Sequence, residues 1–167
     1  MTNTGLVLTI LFSLAACGFI SCEQERDPCL LPRTVNLRVR CLRIVGDTAA
    51  VDSPLVNVNL GALDVDSLKF LYVGADDLAR FSLRLDAGAD SCRYLLQVDS
   101  AISPIDTLTF YYARRLQYLS SGCGYIYFFT LDSVRTSSNN LDSARVVNRE
   151  VTTDANTNPL EHVQIYF

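Results

Sequence analysis

Apolar and polar residues alternate with a period of two along much of this chain, and this pattern constrains the fold more than any other feature of the sequence. The alternation is clearest in residues 34–41, 80–86 and 92–99. Successive side chains of a β-strand point to opposite faces of a sheet, so each of these segments has one face suited to a core and one suited to solvent. The pattern therefore predicts β-strands.

Turn-forming residues separate the alternating segments. Gly, Asp, Asn, Ser and Pro are concentrated in short connections such as residues 74–77, 87–90 and 137–140. No segment shows a sustained helical period with capping residues at both ends. Eight or nine strands at this spacing predict an all-β fold, a single antiparallel β-sandwich that is immunoglobulin-like in its general architecture.

Two segments depart from simple alternation. Residues 125–129 are apolar on both faces, which predicts a central strand that is covered on both sides. Residues 108–112 place apolar side chains inward, and Arg114 continues that phase with a charge. We therefore expect either a β-bulge near residues 112–113 or an inward charge with a partner.

The N-terminal residues have the layout of an exported bacterial lipoprotein. An apolar run at residues 5–16 is shorter than the roughly 20 apolar residues that a membrane-spanning helix needs. This run leads to Cys17 and Cys22, and an acidic, polar stretch at residues 23–27 follows. A cleaved leader followed by a tether is the interpretation that this layout favours.

Either of two cysteines would carry the lipid. Cys17 directly follows small residues and the apolar run, which resembles the site cut by signal peptidase II. Cleavage before Cys22 instead leaves an even number of further cysteines, as suits an oxidising compartment. We predict acylation at Cys22, with Cys17 as the alternative. The chain then divides into a signal peptide (1–21), a lipidated tether (22–30) and a β-sandwich domain (31–167).

Four cysteines follow the predicted acylation site and are expected to form two disulfides. Cys41 and Cys92 both lie in the inward phase of their strands, so a bridge between the sheets is natural if their Cα atoms lie within about 7 Å. Cys29 precedes the first strand, and Cys123 opens the segment predicted to be central. Four cysteines allow three pairings, and spacing alone does not choose among them.

Several classes of function find little support in the residues. The net charge is −4 and no basic block is present, which argues against a nucleic-acid partner. His162 is the only histidine, and we expect it to face solvent in the last strand. Acidic turns such as residues 86–90 offer oxygen ligands for calcium, but Asp and Gly are also typical of tight turns. We predict no catalytic residue, no cofactor and no metal.

An exposed cluster that includes Tyr111 and Arg115 is the candidate binding surface, because Tyr and Arg are favoured at interfaces. The prediction is a lipid-anchored outer-membrane protein of the cell envelope with a structural or binding role. Its partners would be the membrane and an envelope protein or glycan. One alternative is a glycan- or peptide-binding surface module. Another is a small transmembrane β-barrel of the outer membrane, since the alternating C-terminal strand ends on Phe167.

Three short motifs carry a resemblance to a known family. They are SCEQERDPC at residues 21–29, DTLTFYY at residues 106–112 and LSSGCGY at residues 119–125. In these motifs the chain resembles a family of uncharacterised Bacteroidota lipoproteins that is known only as a domain of unknown function. The resemblance implies lipidation at Cys22 and a disulfide between Cys29 and Cys123, and it implies no activity.

Overall fold

The computed structural model describes residues 28–30, 34–46, 49–64, 67–99, 103–153 and 161–167, and all of the regular structure in these ranges is β-strand. The predicted signal peptide, with Cys17 and Cys22, lies outside the described residues. The strands are β1 (Leu37–Val45), β2 (Ala49–Asp52), β3 (Val58–Leu63), β4 (Leu68–Ala75), β5 (Arg80–Leu83), β6 (Ser91–Gln97), β7 (Asp106–Ser120), β8 (Gly124–Thr136), β9 (Ser143–Val146), β10 (Glu150–Val151) and β11 (Val163–Tyr166).

The strands form two sheets that pack against each other. The first sheet has the order β2-β1-β11-β9, and β5 pairs with the first half of β1. The second sheet has the order β10-β8-β7-β6-β3-β4. The predicted all-β sandwich is confirmed. Among the described residues, no helix has the length and hydropathy needed to cross a membrane.

The strand count and one strand direction differ from the prediction. Strands β1 and β11 run parallel, with Val39 opposite Val163 and Cys41 opposite Ile165, so the first sheet is mixed rather than purely antiparallel. The segment predicted as one strand near residues 144–151 divides into β9 and β10, which pair in different sheets. The described residues therefore form eleven strands instead of eight or nine.

The core lies between the inward rows of the two sheets. Leu37, Val39 and Cys41 of β1 are fully buried, and they belong to the same cluster as the buried row of β7 that includes Phe110. Tyr112 extends that row, and its ring meets the edge of the Phe129 ring with the ring centres 5.3 Å apart. The inward rows predicted for residues 34–41 and 108–112 are therefore correct.

The departure predicted near Arg114 is also observed. The register of β7 against β8 shifts between Tyr111 and Tyr112, which is the irregularity expected of a β-bulge. Arg114 Nη1 lies 3.5 Å from the carboxylate of Asp90. The extra residue is on β8, where Asp132 has no opposite residue, so β7 keeps its phase and Arg114 is accommodated by its ion pair with Asp90.

The β7–β8 hairpin extends beyond its neighbours. Strand β6 pairs with β7 only as far as Tyr111, and β10 pairs with β8 only at Phe129 and Thr130. The rest of the hairpin, residues 113–120 and 124–128, is hereafter called the ribbon. The prediction that residues 125–129 form a covered central strand is therefore wrong, and Tyr125 is 67 % exposed. Tyr127 is also exposed, whereas Ile126 and Phe129 are buried in the core cluster.

A buried carboxylate fixes the loop that leads from β8 to β9. Asp106, at the start of β7, is 1 % exposed. Its two oxygens accept hydrogen bonds from the Ser137 hydroxyl at 2.9 Å and from the main-chain N–H groups of Asn139 at 2.6 Å, Asn140 at 2.7 Å and Leu141 at 3.3 Å. Main-chain donors that would otherwise be buried without partners are satisfied in this way.

Candidate binding groove

One disulfide is present among the described cysteines, and it joins Cys29 to Cys123 across 94 residues of sequence. This pairing is the one that the family resemblance implies. Cys123 lies in the turn between β7 and β8, so the segment that precedes β1 is attached to the end of the ribbon.

The expected disulfide between Cys41 and Cys92 is not formed, and both are free thiols. Although both side chains point inward, Cys41 is buried in β1 where this strand pairs with β11, whereas Cys92 lies close to the Tyr112 hydroxyl and the main chain of Asp86. An inward phase places a side chain in the core, but it does not place two side chains next to each other.

The two free thiols should be unreactive in the folded protein. Burial raises the pKa of Cys41 to about 12 and that of Cys92 to about 11, and the thiolate is the form that reacts with alkylating agents. We expect iodoacetamide to modify both residues only after unfolding, without any reductant. Peptide mapping measures this, and recovery of Cys29 and Cys123 as a linked pair is the internal control. Recovery of a linked Cys41–Cys92 pair would contradict the structure.

A groove of about 890 Å³ lies beside the β4 edge of the second sheet. Its walls come from four parts of the chain: the end of β3, strand β4, the segment that crosses from β5 to β6, and the start of β6. Most of its lining residues are polar or charged, and they are Asp64, Ser67, Lys69, Tyr72, Ser82, Arg84, Asp86, Ser91, Arg93 and Tyr94. Apolar atoms nevertheless form more than half of the groove surface, and Leu63, Leu71 and Leu85 are among the apolar lining residues.

Two tyrosines hold the crossing segment in place. The Tyr112 hydroxyl accepts a hydrogen bond from the Asp86 N–H and donates one to the Asp86 carbonyl, each at 3.0 Å. The Tyr94 hydroxyl donates to the carbonyl of Arg84. Asp86 then turns the chain, because its side chain accepts a hydrogen bond from the Gly88 N–H at 2.7 Å. This wall of the groove is therefore anchored to the core by side chains of β6 and β7.

The opposite wall depends on a close approach between β3 and β4. A Cβ atom at Gly61 would lie 2.8 Å from the Leu68 side chain and 3.3 Å from the Lys69 carbonyl, so glycine lets β4 pack directly on β3. The register shifts between Leu60 and Gly61, which leaves Leu71 without an opposite residue. This bulge places Lys69, Leu71 and Tyr72 on the lining of the groove.

The charge of the groove favours an acidic ligand. Lys69, Arg84 and Arg93 are exposed, and none of them forms an ion pair with another described residue. Asp64 and Asp86 partly offset these three cations. The groove offers hydrogen-bond donors, cations and apolar surface. Because the Cys92 thiol stays protonated, the described residues give the groove no activated cysteine nucleophile.

The residues predicted to form a binding surface lie elsewhere. Tyr111 and Arg115 are exposed on β7, and neither of them lines the groove. The guanidinium of Arg135 covers the Tyr111 ring at 5.5 Å, and that of Arg115 lies 5.9 Å from the centre of the Phe128 ring. Sequence reasoning missed the groove because its residues come from separate segments. The one available signal was Lys69, the only lysine of the chain.

His162 does not face solvent, and that prediction is wrong. It is fully buried just before β11, where its Nδ1 accepts a hydrogen bond from the Arg38 N–H at 3.0 Å and its own main-chain N–H donates to the Arg38 carbonyl at 2.9 Å. Nε2 has no hydrogen-bond partner among the described residues. Burial lowers the pKa of the imidazole, and the Arg38 charge lowers it further. The imidazole is thus a neutral structural acceptor.

The buried imidazole should make stability depend on pH. Its pKa in the folded state is below the ordinary value of about 6.5, so the unfolded state binds more protons as the pH falls below that value. We expect the free energy of unfolding to be constant near neutrality and to decrease as the pH falls below about 6.5. Urea unfolding at several pH values measures this. His162→Asn keeps an acceptor, does not titrate and should abolish the slope; an unchanged slope in this variant would contradict the explanation.

The described residues contain no group of three or more His, Cys, Asp or Glu side chains placed to hold a metal ion. They form a β-sandwich with one disulfide and an open, mixed-charge groove. The chain belongs to the family of unknown function DUF6452, which it matches over residues 57–167. The match includes all residues of the groove and Cys123, but Cys29 lies before it. No curated protein and no solved structure matches the chain.

Proposed function

We propose that this protein is an exported lipoprotein of a Bacteroidota-type cell envelope, acylated at Cys22, in which the sandwich has a binding role without catalysis. The observation that carries the proposal is the Cys29–Cys123 disulfide, which begins seven residues after Cys22. Disulfides persist in oxidising compartments and are rare in reducing ones. The bond therefore agrees with the export signal that the leader suggests, and we place the protein at the outer membrane.

Burial of the reactive side chains supports the non-catalytic part of the proposal. The imidazole of His162 is buried against the main chain of Arg38. The thiol of Cys92 is held in its protonated form. Each of these groups would be the natural nucleophile or base of a hydrolase, and each instead serves packing. The groove is left with groups that suit recognition.

Intact-mass analysis of the native protein, together with peptide mapping without reductant, tests the anchor. We expect a mature chain that starts at an acylated Cys22 and contains the linked Cys29–Cys123 peptide. Cys22→Ala should abolish acylation, and Cys17→Ala is the matched control that should leave it unchanged. An unprocessed chain with free Cys29 and Cys123 thiols would contradict the proposal. Acylation at Cys17 would change the position of the anchor, and the protein would still be an exported lipoprotein.

A second candidate, a peptide-binding module, is favoured by the position of β4. Among the described strands β4 pairs only with β3, so its other edge presents main-chain donors and acceptors to an added strand. Phe70 and Val73 are exposed on this strand, and Lys69 and Leu71 face the groove. An extended peptide with acidic side chains would meet main-chain, apolar and cationic partners along one line, which favours a peptide over a glycan.

A synthetic peptide that alternates valine and glutamate is a suitable probe for this candidate. We expect it to bind the full chain, measured by fluorescence anisotropy, and expect Lys69→Glu to weaken binding about tenfold, which corresponds to ~1.4 kcal/mol. Arg43→Glu is the matched control, because it makes a similar charge change on β1, away from the groove. Equal binding of a valine–lysine peptide, or an equal effect of the two variants, would exclude this recognition mode.

A further inference from the structure

We propose that the ribbon at the end of the β7–β8 hairpin rests on the surface of an anionic lipid membrane and sets the orientation of the sandwich. This inference rests on the lipid anchor proposed above and adds which face of the domain meets the bilayer. Its basis is the juxtaposition of an unpartnered aromatic face, a local excess of positive charge and the disulfide that brings the anchored segment to this part of the fold.

The aromatic face is a continuation of the core row. Residues directly opposite in an antiparallel pair lie on the same face of the sheet, and Tyr112 is opposite Leu131 inside the core. Along the same row toward the turn, Leu116 is opposite Tyr127 and Tyr118 is opposite Tyr125. We call these last four residues the tip face. The tip face has the phase of a core row, but its four side chains are exposed.

The tip face is exposed and ordered. Leu116 is 53 % exposed and Tyr118 is 49 % exposed, and the rings of Tyr118 and Tyr125 pack together with their centres 5.2 Å apart. A contiguous apolar patch on a hairpin marks a surface that contacts something else. Tyrosine has an apolar ring and a polar hydroxyl, which is why it is enriched where a membrane meets water.

The ribbon carries positive charge although the chain as a whole is acidic. The whole chain carries a net charge of −4, yet residues 107–131 contain Arg114 and Arg115 and no Asp or Glu. The guanidinium of Arg115 donates to the side chain of Gln117 and makes no ion pair with another described residue. Arg114 lies in the row of the tip face and pairs with Asp90, whereas Arg115 lies on the other face of the ribbon, opposite Phe128. Cations on a ribbon with exposed aromatic side chains fit a surface of anionic lipid headgroups.

The disulfide favours the membrane as the partner of the tip face over a second copy of the chain or another protein. Cys123 lies in the turn at the end of the ribbon and is bonded to Cys29. Cys29 is the seventh residue after the proposed anchor at Cys22, and a fully extended chain over that interval spans at most roughly 25 Å. The ribbon is therefore held within this distance of the bilayer, whereas a domain attached by its tether alone would have no preferred face.

A single introduced tryptophan provides the test, since the natural chain contains none. The variant Tyr125→Trp is purified in its native acylated form and reconstituted into vesicles of phosphatidylcholine and phosphatidylglycerol. We expect a blue shift of its emission and quenching by roughly half when the lipids carry bromine in their acyl chains, because interfacial segments lie ~5–10 Å into the headgroup–acyl boundary. Tyr111→Trp is the matched control and should show neither effect, since Tyr111 is roughly 24 Å from Tyr118 along β7.

The outcomes separate this inference from the proposed anchor. Protein that does not float with the vesicles in high salt contradicts the anchor. If the protein floats but aqueous acrylamide quenches Tyr125→Trp as strongly as Tyr111→Trp, the orientation is overturned and the anchor stays intact. Shielding of the Tyr125→Trp indole from acrylamide without quenching by brominated lipid would show that protein covers the tip face, and it would also overturn the inference. Lipid quenching of Tyr125→Trp alone supports it.

Discussion

Replacing Cys29 and Cys123 by alanine is expected to lower the free energy of unfolding by about 4–5 kcal/mol. The bond spans 94 residues of sequence, and the loop-entropy relation for a loop of about that length gives roughly 4.7 kcal/mol. The main effect is on the unfolded chain, which gains conformations when the bond is removed. Urea unfolding of the full chain measures the change, and the midpoint of thermal unfolding should fall by ~10–15 °C.

Two comparisons distinguish the lost bond from side effects of substitution. Reduction of the natural protein should give the same loss as the double substitution, because both open the same loop. The single variant Cys29→Ala should match the double variant, since either change removes the bond. A loss below about 1 kcal/mol in all three cases would indicate that the unfolded chain is already compact around this loop.

The Asp106→Ala variant is expected to lose about 3–5 kcal/mol of stability. The carboxylate accepts hydrogen bonds from three main-chain N–H groups and from the Ser137 hydroxyl, at distances between 2.6 and 3.3 Å. Alanine would leave one buried and three partly buried donors without this partner, and a buried donor without a partner costs about 1–3 kcal/mol. Urea unfolding measures the total loss. Hydrogen exchange should show faster exchange first at the amides of Asn139, Asn140 and Leu141.

Two further variants make this prediction specific. Asp132→Ala removes an exposed carboxylate from β8 and should change stability by less than about 0.5 kcal/mol. Asp106→Asn keeps the shape of the side chain but replaces one acceptor oxygen by a donor, so it should fall between the natural protein and Asp106→Ala. If Asp106→Ala is no worse than Asp132→Ala, the buried carboxylate does not stabilise the loop.

The features that local pattern predicted correctly are those that depend on one strand alone. The inward row of β1 and the inward row of β7, which Arg114 continues with a paired charge, follow from which residues share a face. The position of each strand in a sheet does not. Residues 125–129 were predicted to be central because they are apolar on both faces, but β6 and β10 end before they reach the ribbon.

The errors at individual side chains have the same origin. Cys41 and Cys92 lie in different sheets, as a bridge between the sheets requires, yet they have different surroundings and form no bond. His162 lies in a polar-looking C-terminal segment, but the main chain of Arg38, which is 124 residues away in sequence, encloses it. The groove likewise combines the ends of β3 and β4 with the crossing segment before β6. None of these contacts between distant segments can be recognised from a local sequence pattern.

The amino-acid sequence by itself determined the all-β class of this protein and the faces that β1 and β7 bury. These properties follow from the geometry of a single strand, in which side chains alternate between two sides. Only the tertiary structure decided the parallel insertion of β11 beside β1, the free thiols, the buried imidazole, the groove and the exposed ribbon. Each of these depends on which distant segments meet and on where a neighbouring strand ends, and that is set by the packing of the whole chain.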